Sequence, residues 1–406
     1  MMSGLHARFL VRYPFLVAAG LWVAALGPGP RAAAADVAVR AAIDKGAVWL
    51  RQRQQRDGSW NAQGHQVGET ALSGLALLAA GDRPDSPVIV AAAEVIRRLV
   101  VAENHTYDVS LAVMFLNQLG ERRDSELIRG LGLRLARGQC ADGSWTYSLA
   151  ESGASGDNSN AQFGVLACWI CRRHGAEVDR AILAADRYFR RSVNQPSGGW
   201  GYHPGERSTP SMTCAGLVAL AAERGASVQR IGRTVGRRED QGAQPDGPPR
   251  DLVPAVKDPI VAAALTYLGH LMRTDQIAQN SKGWTGLYFY WSLERVGVIY
   301  GIASIGGVDW YSWGCAHILP LQKVDGSWGQ GDCVDTSFAI LFLAKANVAA
   351  DLTQAIGGWQ RGDVGGSPPH NGGFLKVERS PRPKPSTAKA DESGERPAGS
   401  GESNER

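Results

Sequence analysis

The chain has 406 residues, with 43 Lys and Arg against 39 Asp and Glu, a formal charge of +4 and 20% charged residues. The basic residues are scattered and not gathered with aromatics, which excludes a nucleic-acid-binding surface. At 44% hydrophobic the chain can bury a large core, and 50 glycines with 20 prolines imply many reversals between short elements.

The first element is an export signal. Arg8 and Arg12 precede an apolar run over 15–26, and a Gly-Pro break leads into Ala32 to Ala35, an Ala-x-Ala cleavage pattern. The run is shorter than the roughly 20 residues of a spanning helix, so residues 1–35 read as a cleaved signal peptide and the mature protein as exported, periplasmic or extracellular. Membrane attachment is expected only if that segment stays uncleaved.

From residue 39 onward, helical periodicity punctuated by Gly and Pro gives about twelve helices in six hairpins. They pair 39–53 with 68–80, 87–101 with 109–119, 124–137 with 161–173, 179–193 with 211–223, 259–272 with 287–298, and 309–321 with 335–346. The second member of each pair is smaller and apolar all round, which places it in an inner, buried layer. Residues 230–250, rich in Gly, Pro, Arg and Asp, read as an exposed insertion. Residues 351–378 form an extension, and 379–406, with little to bury, a disordered tail.

Three hairpins carry the same junction, Gln-x-x-Asp-Gly-Ser-Trp, at 54–60, 139–145 and 322–328, with a shortened copy at 195–200. Asp-Gly accepts the positive φ that stops a helix, Trp supplies apolar area with one N–H donor, and the Gln amide reaches a neighbouring helix end. Stacked hairpins that each cover the next need such anchors at regular intervals.

This junction resembles the QW repeat of squalene cyclases and of the beta subunits of protein prenyltransferases. The resemblance spans about residues 39–350 and implies an all-α fold, an alpha/alpha toroid of about six helical hairpins in inner and outer rings, occupying residues 36–350. The repeats hold helices together in those families and do not touch substrate, so they speak to fold and not to reaction.

Chemistry is expected at the centre of such a ring. Trp284, Tyr288 and Trp291 recur at helical spacing and, with Trp310, Trp313 and Phe338, form the expected ligand-binding set, an aromatic wall suited to an isoprenoid or to stabilising a carbocation. The same spacing suits core packing. Asp332 and Asp335 are the candidate catalytic acids. Their segment, Asp332-Cys333-Val334-Asp335-Thr336, resembles the Asp-x-Asp-Asp-Thr acid motif of squalene-hopene cyclases, but Val334 stands where the proton donor would be. The competing reading is helix capping, in which Asp335, next to Thr336, satisfies free N–H groups at the start of the following helix and complements its dipole.

A prenyltransferase zinc site would use Asp, Cys and His. Asp332, Cys333, Asp335, His317 and Cys315 supply the residue types in a different order, so no metal and no other cofactor is expected. Cys168 and Cys171, the sole Cys-x-x-Cys, lie within an apolar helix and read as buried thiols. Glu69, Thr70, Tyr107, Asp108 and Asn158 to Asn160 sit at the starts of inner helices on the same rim as Asp332 and Asp335, where a binding mouth or simple helix capping accounts for them. The sequence therefore predicts an exported toroid, non-catalytic or divergent, that holds an apolar small molecule or a partner protein. The alternative is a terpenoid cyclase or other isoprenoid-converting enzyme.

Overall fold

The structure is a computed structural model that describes residues 30–151, 153, 155–240, 255–277 and 286–357. The described chain is helical apart from a two-stranded ribbon, β1 (Ser304–Ile305) and β2 (Val308–Asp309). Six outer helices alternate with six inner ones. The outer set is α1 (Pro30–Arg53), α3 (Pro87–Leu99), α5 (Ser125–Arg137), α7 (Asp179–Ser192), α9 (Pro259–Arg273) and α11 (Trp310–Ile318). The inner set is α2 (Gln66–Ala80), α4 (Thr106–Leu119), α6 (Asn158–Arg172), α8 (Pro210–Asp240), α10 (Gly286–Tyr300) and α12 (Cys333–Leu343). A last helix, α13 (Ala350–Gly357), packs on α8 and α10.

The two sets differ in burial as their patterning requires. In α6 every residue from Asn158 to Cys171 is buried, whereas α7 buries Ala181, Ile182, Ala185, Asp186, Tyr188 and Phe189 and turns its arginines outward. Each inner helix packs against the next, α2 on α4, α4 on α6, α6 on α8, α8 on α10 and α10 on α12; α12 then packs on α2, so the inner ring closes.

The repeated junctions make this closure. In all three full copies the Gln Nε2 donates to the carbonyl of the Gly four residues on and to a carbonyl of the next outer helix. Gln54 reaches Gly58 O at 2.9 Å and Val88 O at 2.8 Å; Gln139 reaches Gly143 O and Ala181 O, both at 2.9 Å; Gln322 reaches Gly326 O at 3.0 Å and Ala42 O at 2.9 Å. The Trp indole turns back to the outer helix it follows, Trp60 to Leu50 O, Trp145 to Leu135 O, Trp200 to Phe189 O and Trp328 to Ile318 O, at 2.8–3.0 Å. The junction glycines have φ of 90°, 97° and 96° at Gly58, Gly143 and Gly326, and a Cβ on them would meet the carbonyls of Ala91, Ala184 and Lys45 in the next outer helix. Glycine is thus required both for the turn and for the close approach.

Two boundaries differ from the sequence reading. The expected insertion over 230–250 begins as helix, because α8 runs on to Asp240 through a stretch that holds no proline before residue 245; residues 241–254 lie outside the described residues. The sixth outer helix stops at Ile318 and continues as a 3-10 turn over Leu319–Leu321, since Pro320 lacks an N–H and its ring obstructs the preceding turn. The alanines of the expected cleavage pattern fall in the first turns of α1, and the expected tail lies outside the described residues. All six cysteines are buried with free thiols, and burial pushes Cys168 up to about 12. No described helix is long and apolar enough to cross a membrane.

Candidate functional site

The first turns of all six inner helices surround one cavity of about 830 Å³. Its rim carries Glu69 of α2, Tyr107 and Asp108 of α4, Ser159 of α6, Met212 of α8, Tyr288 of α10, and Asp335 of α12. One helical turn deeper, Leu72, Leu111, Phe163 and Phe338 complete an apolar floor, each on the inward face of its helix.

The aromatic residues of this floor touch one another. The Tyr107 ring meets Phe163 edge-on at 4.8 Å, Phe163 stacks with Tyr288 at 6.2 Å, and Phe338 lies 5.8 Å from Tyr288. Tyr288 is held by its hydroxyl, which donates to Gln162 Oε1 at 2.7 Å. Trp291 lies beneath, fully buried and stacked on Phe338 at 5.1 Å, with the Arg295 guanidinium 3.8 Å above its ring centre. At the mouth, Tyr147 and Tyr202 share a hydroxyl contact of 2.6 Å.

Of the sequence-predicted set, Tyr288, Phe338, Asp332 and Asp335 line the cavity. Trp291 supports the floor from below and is not among the lining residues. Trp310 and Trp313 stand elsewhere. Trp310 donates its indole N–H to Ile302 O at 2.7 Å and packs on Phe342, and the Trp313 ring lies tilted against His317 at 4.4 Å. Trp284 lies outside the described residues.

The two carboxylates of the acid-like segment have separate duties. Asp332 caps α12, accepting the Asp335 N–H at 2.7 Å, as a capping residue should. Asp335 instead turns its side chain back toward the Gln330 N–H and the cavity; burial, with the Asp332 carboxylate beside it, pushes its pKa up to about 6. Glu69, which like Asp335 immediately precedes the Thr that accepts a junction Trp N–H, is used up by its loop: its oxygens accept the N–H groups of Ala62 at 2.7 Å, Gln63 at 2.8 Å and His65 at 3.3 Å.

Sequence reasoning placed Asp108 on this rim but missed the two histidines beside it. His65 and His105 are the residues just before α2 and α4, and their Nδ1 atoms lie 3.1 and 2.9 Å from Asp108 Oδ2. The only signal available in the sequence was the shared position of a His immediately before each of two neighbouring inner helices.

No family model matches this chain, and no curated protein matches it. Among solved structures it is similar to the GH76A alpha-1,6-mannanase from Salegentibacter sp. HEL1_6, with 12% identity, a TM-score of 0.52, and coverage of 76% of this chain and 99% of that one. The fold is an alpha/alpha toroid. A type II terpene cyclase from Scytonema, in complex with geranylgeranyl dihydroxybenzoate, also matches at 12% identity over 77% of this chain and 99% of that one, but its TM-score of 0.31 carries no argument. The mannanase likeness shows the fold alone and leaves the reaction open.

Proposed function

We propose that this toroid holds an apolar small molecule of isoprenoid type in the rim cavity, outside the cytoplasm. The observation that carries the reading is the cavity itself, whose floor of Leu72, Leu111, Phe163, Tyr288 and Phe338 offers apolar area and ring faces. A polar end of the ligand would meet the ring of hydroxyls and carboxylates at the mouth, where Tyr147, Tyr202 and Asp335 stand. Export rests on the N-terminal segment, and N-terminal sequencing of protein recovered outside the cytoplasm tests it, with a chain starting near residue 35 as the expected result.

Native mass spectrometry and lipid extraction of the purified protein test the ligand. A co-purifying apolar molecule, displaced by added geranylgeraniol, supports the reading. An empty chain that binds no prenyl alcohol in solution would remove it.

One observation favours a second reading, in which the bound molecule is also converted. A carboxyl with a pKa of about 6 beside the helix-capping Asp332 is poised as a general acid near neutral pH. Such an acid is suited to protonating an oxygen leaving group and too weak for an alkene. Turnover that is lost in D335N and partly kept in D335E would support it, and unchanged turnover in D335N would end it.

A further inference from the structure

We propose that His65, His105 and Asp108 form a binding site for one divalent transition metal ion, of which Zn²⁺ is the natural probe, on the wall of the rim cavity. The Nδ1 atoms of the two histidines lie 3.1 and 2.9 Å from Asp108 Oδ2, and the three candidate ligand atoms all fall within 4.8 Å of one another. Ligands about 2.0–2.2 Å from a zinc ion stand about 3–3.5 Å apart, so the two His–Asp spacings are near that value and the spacing between the histidines, at most 4.8 Å, would have to close to it on binding.

Hydrogen bonding to Asp108 accounts for the position of His65 but not for that of His105. His105 Nδ1 is buried and, although 2.9 Å from the carboxylate, makes no hydrogen bond of acceptable direction. The nitrogen is desolvated without a partner, a cost that coordination would remove. The two imidazole rings lie side by side, with ring centres 4.6 Å apart and planes tilted by 56°.

The carboxylate is fixed from behind. Asp108 has a side chain 1% exposed, and its second oxygen, Oδ1, accepts the Gly68 N–H at 2.7 Å. Gly68 occupies in α2 the position that Asp108 occupies in α4, three residues after the histidine, and a Cβ there would come within 2.8 Å of Oδ1. The absence of a side chain at Gly68 is therefore what lets the carboxylate cross from one inner helix to the next. A main-chain bond of this kind orients a ligating carboxylate.

The His65 side chain is half exposed, and His65, His105 and Asp108 all line the cavity, so an ion here has an entry path and positions left for water or a ligand oxygen. Two imidazoles and one carboxylate suit zinc and its neighbours and not the hard ions that prefer oxygen alone. The site differs in residues and place from the Asp332, Cys333 and His317 set considered from the sequence.

The test uses the full mature chain, stripped with a chelator and of lipid, titrated with Zn²⁺ by calorimetry and assayed for bound metal, with Co²⁺ absorption as an optical reporter. Wild type is expected to take up one equivalent with a visible d–d band, and H65A and H105A to bind at least about tenfold more weakly. G68A, a positioning variant, is expected to weaken binding through Asp108, and H317A to leave it unchanged. Circular dichroism checks that each variant is folded. A wild-type chain that takes up no zinc, or one whose affinity is unaltered in folded H65A and H105A, overturns the proposal. The titration needs no ligand in the cavity, so its failure and a failure to find a bound isoprenoid are separate results.

Discussion

Gln322 donates its amide to the main-chain carbonyl of Ala42, 280 residues earlier, and thereby ties the last hairpin to the first. Trp49 returns the contact from the other side, its indole N–H meeting Asp325 Oδ2 at 3.2 Å. The junction that joins consecutive hairpins elsewhere in the chain here joins its two ends, and the toroid is closed by the same hydrogen bonds that build it.

If this junction works as its geometry indicates, Q322A should destabilise the protein about as much as Q54A, by about 1–3 kcal/mol, because either change removes two hydrogen bonds and takes the amide donor from the junction-glycine carbonyl. Urea unfolding of both variants measures it. A negligible effect in Q322A beside a clear one in Q54A would mean that the ring is held shut by inner-helix packing alone.

The junction tryptophans should cost more. Trp328 is fully buried and donates to Ile318 O at 2.9 Å, so W328A is expected to lose about 3–5 kcal/mol and W328F distinctly less. Thermal and denaturant unfolding would show the ordering, and equal losses would shift the weight from packing to the single hydrogen bond.

Stability should depend on pH through Asp335. Its pKa is about 6 in the folded protein against 3.8 for an ordinary aspartate, so the native state binds the proton more tightly. Between those values the native state holds more protons than the unfolded one, and stability falls as pH rises from about 4 to about 6. D335N should remove that slope and be more stable than wild type at pH 7, by about 1 kcal/mol once solvent in the cavity is allowed for. Buried Glu294, whose oxygens have no hydrogen-bond partner and whose pKa is raised well above 4.5, adds a slope of the same sign, so E294L is expected to stabilise at neutral pH.

The thiols should be silent. With all six cysteines buried and free, a thiol reagent should label none in the native protein and six after unfolding, and a reductant should leave the melting temperature unchanged. Rapid labelling of Cys333, nearest the cavity residues Asp332 and Val334, would reveal an opening of the rim.

Ligand capture should follow the floor and not the distant tryptophans. F338A and Y288A are expected to reduce the amount of co-purifying apolar molecule severalfold, whereas W313F, at a residue that packs against His317 and does not line the cavity, should not. Quantified lipid extraction distinguishes these outcomes.

Much of this was legible in the residues themselves. Gln54, Gly58 and Trp60 act within a few positions of one another, and a helix stop, a positive φ and an indole donor are local properties that a repeated heptapeptide declares on its own. Uniform burial of the inner helices followed from their lack of a polar face, and the aromatic periodicity around Tyr288 and Trp291 was equally visible. What periodicity could not say is which aromatic faces the void. Tyr288 lines the cavity and Trp291, less than one turn further along, lies under the floor, because position around the helix relative to five other inner helices decides it.

The acids divide in the same way. Local rules read Asp335 as the cap of its helix; the fold instead assigns the capping to Asp332 and leaves Asp335 at the cavity with a raised pKa. The meeting of His65 with Asp108, 43 residues apart, was beyond any local rule, since it exists only where α2 and α4 stand side by side with a glycine between them. The sequence alone determined the repeating hairpin, because that rests on short-range backbone chemistry. Only the closed ring decided the cavity and the groups that face it, because those depend on distances between helices that the chain must travel far to bring together.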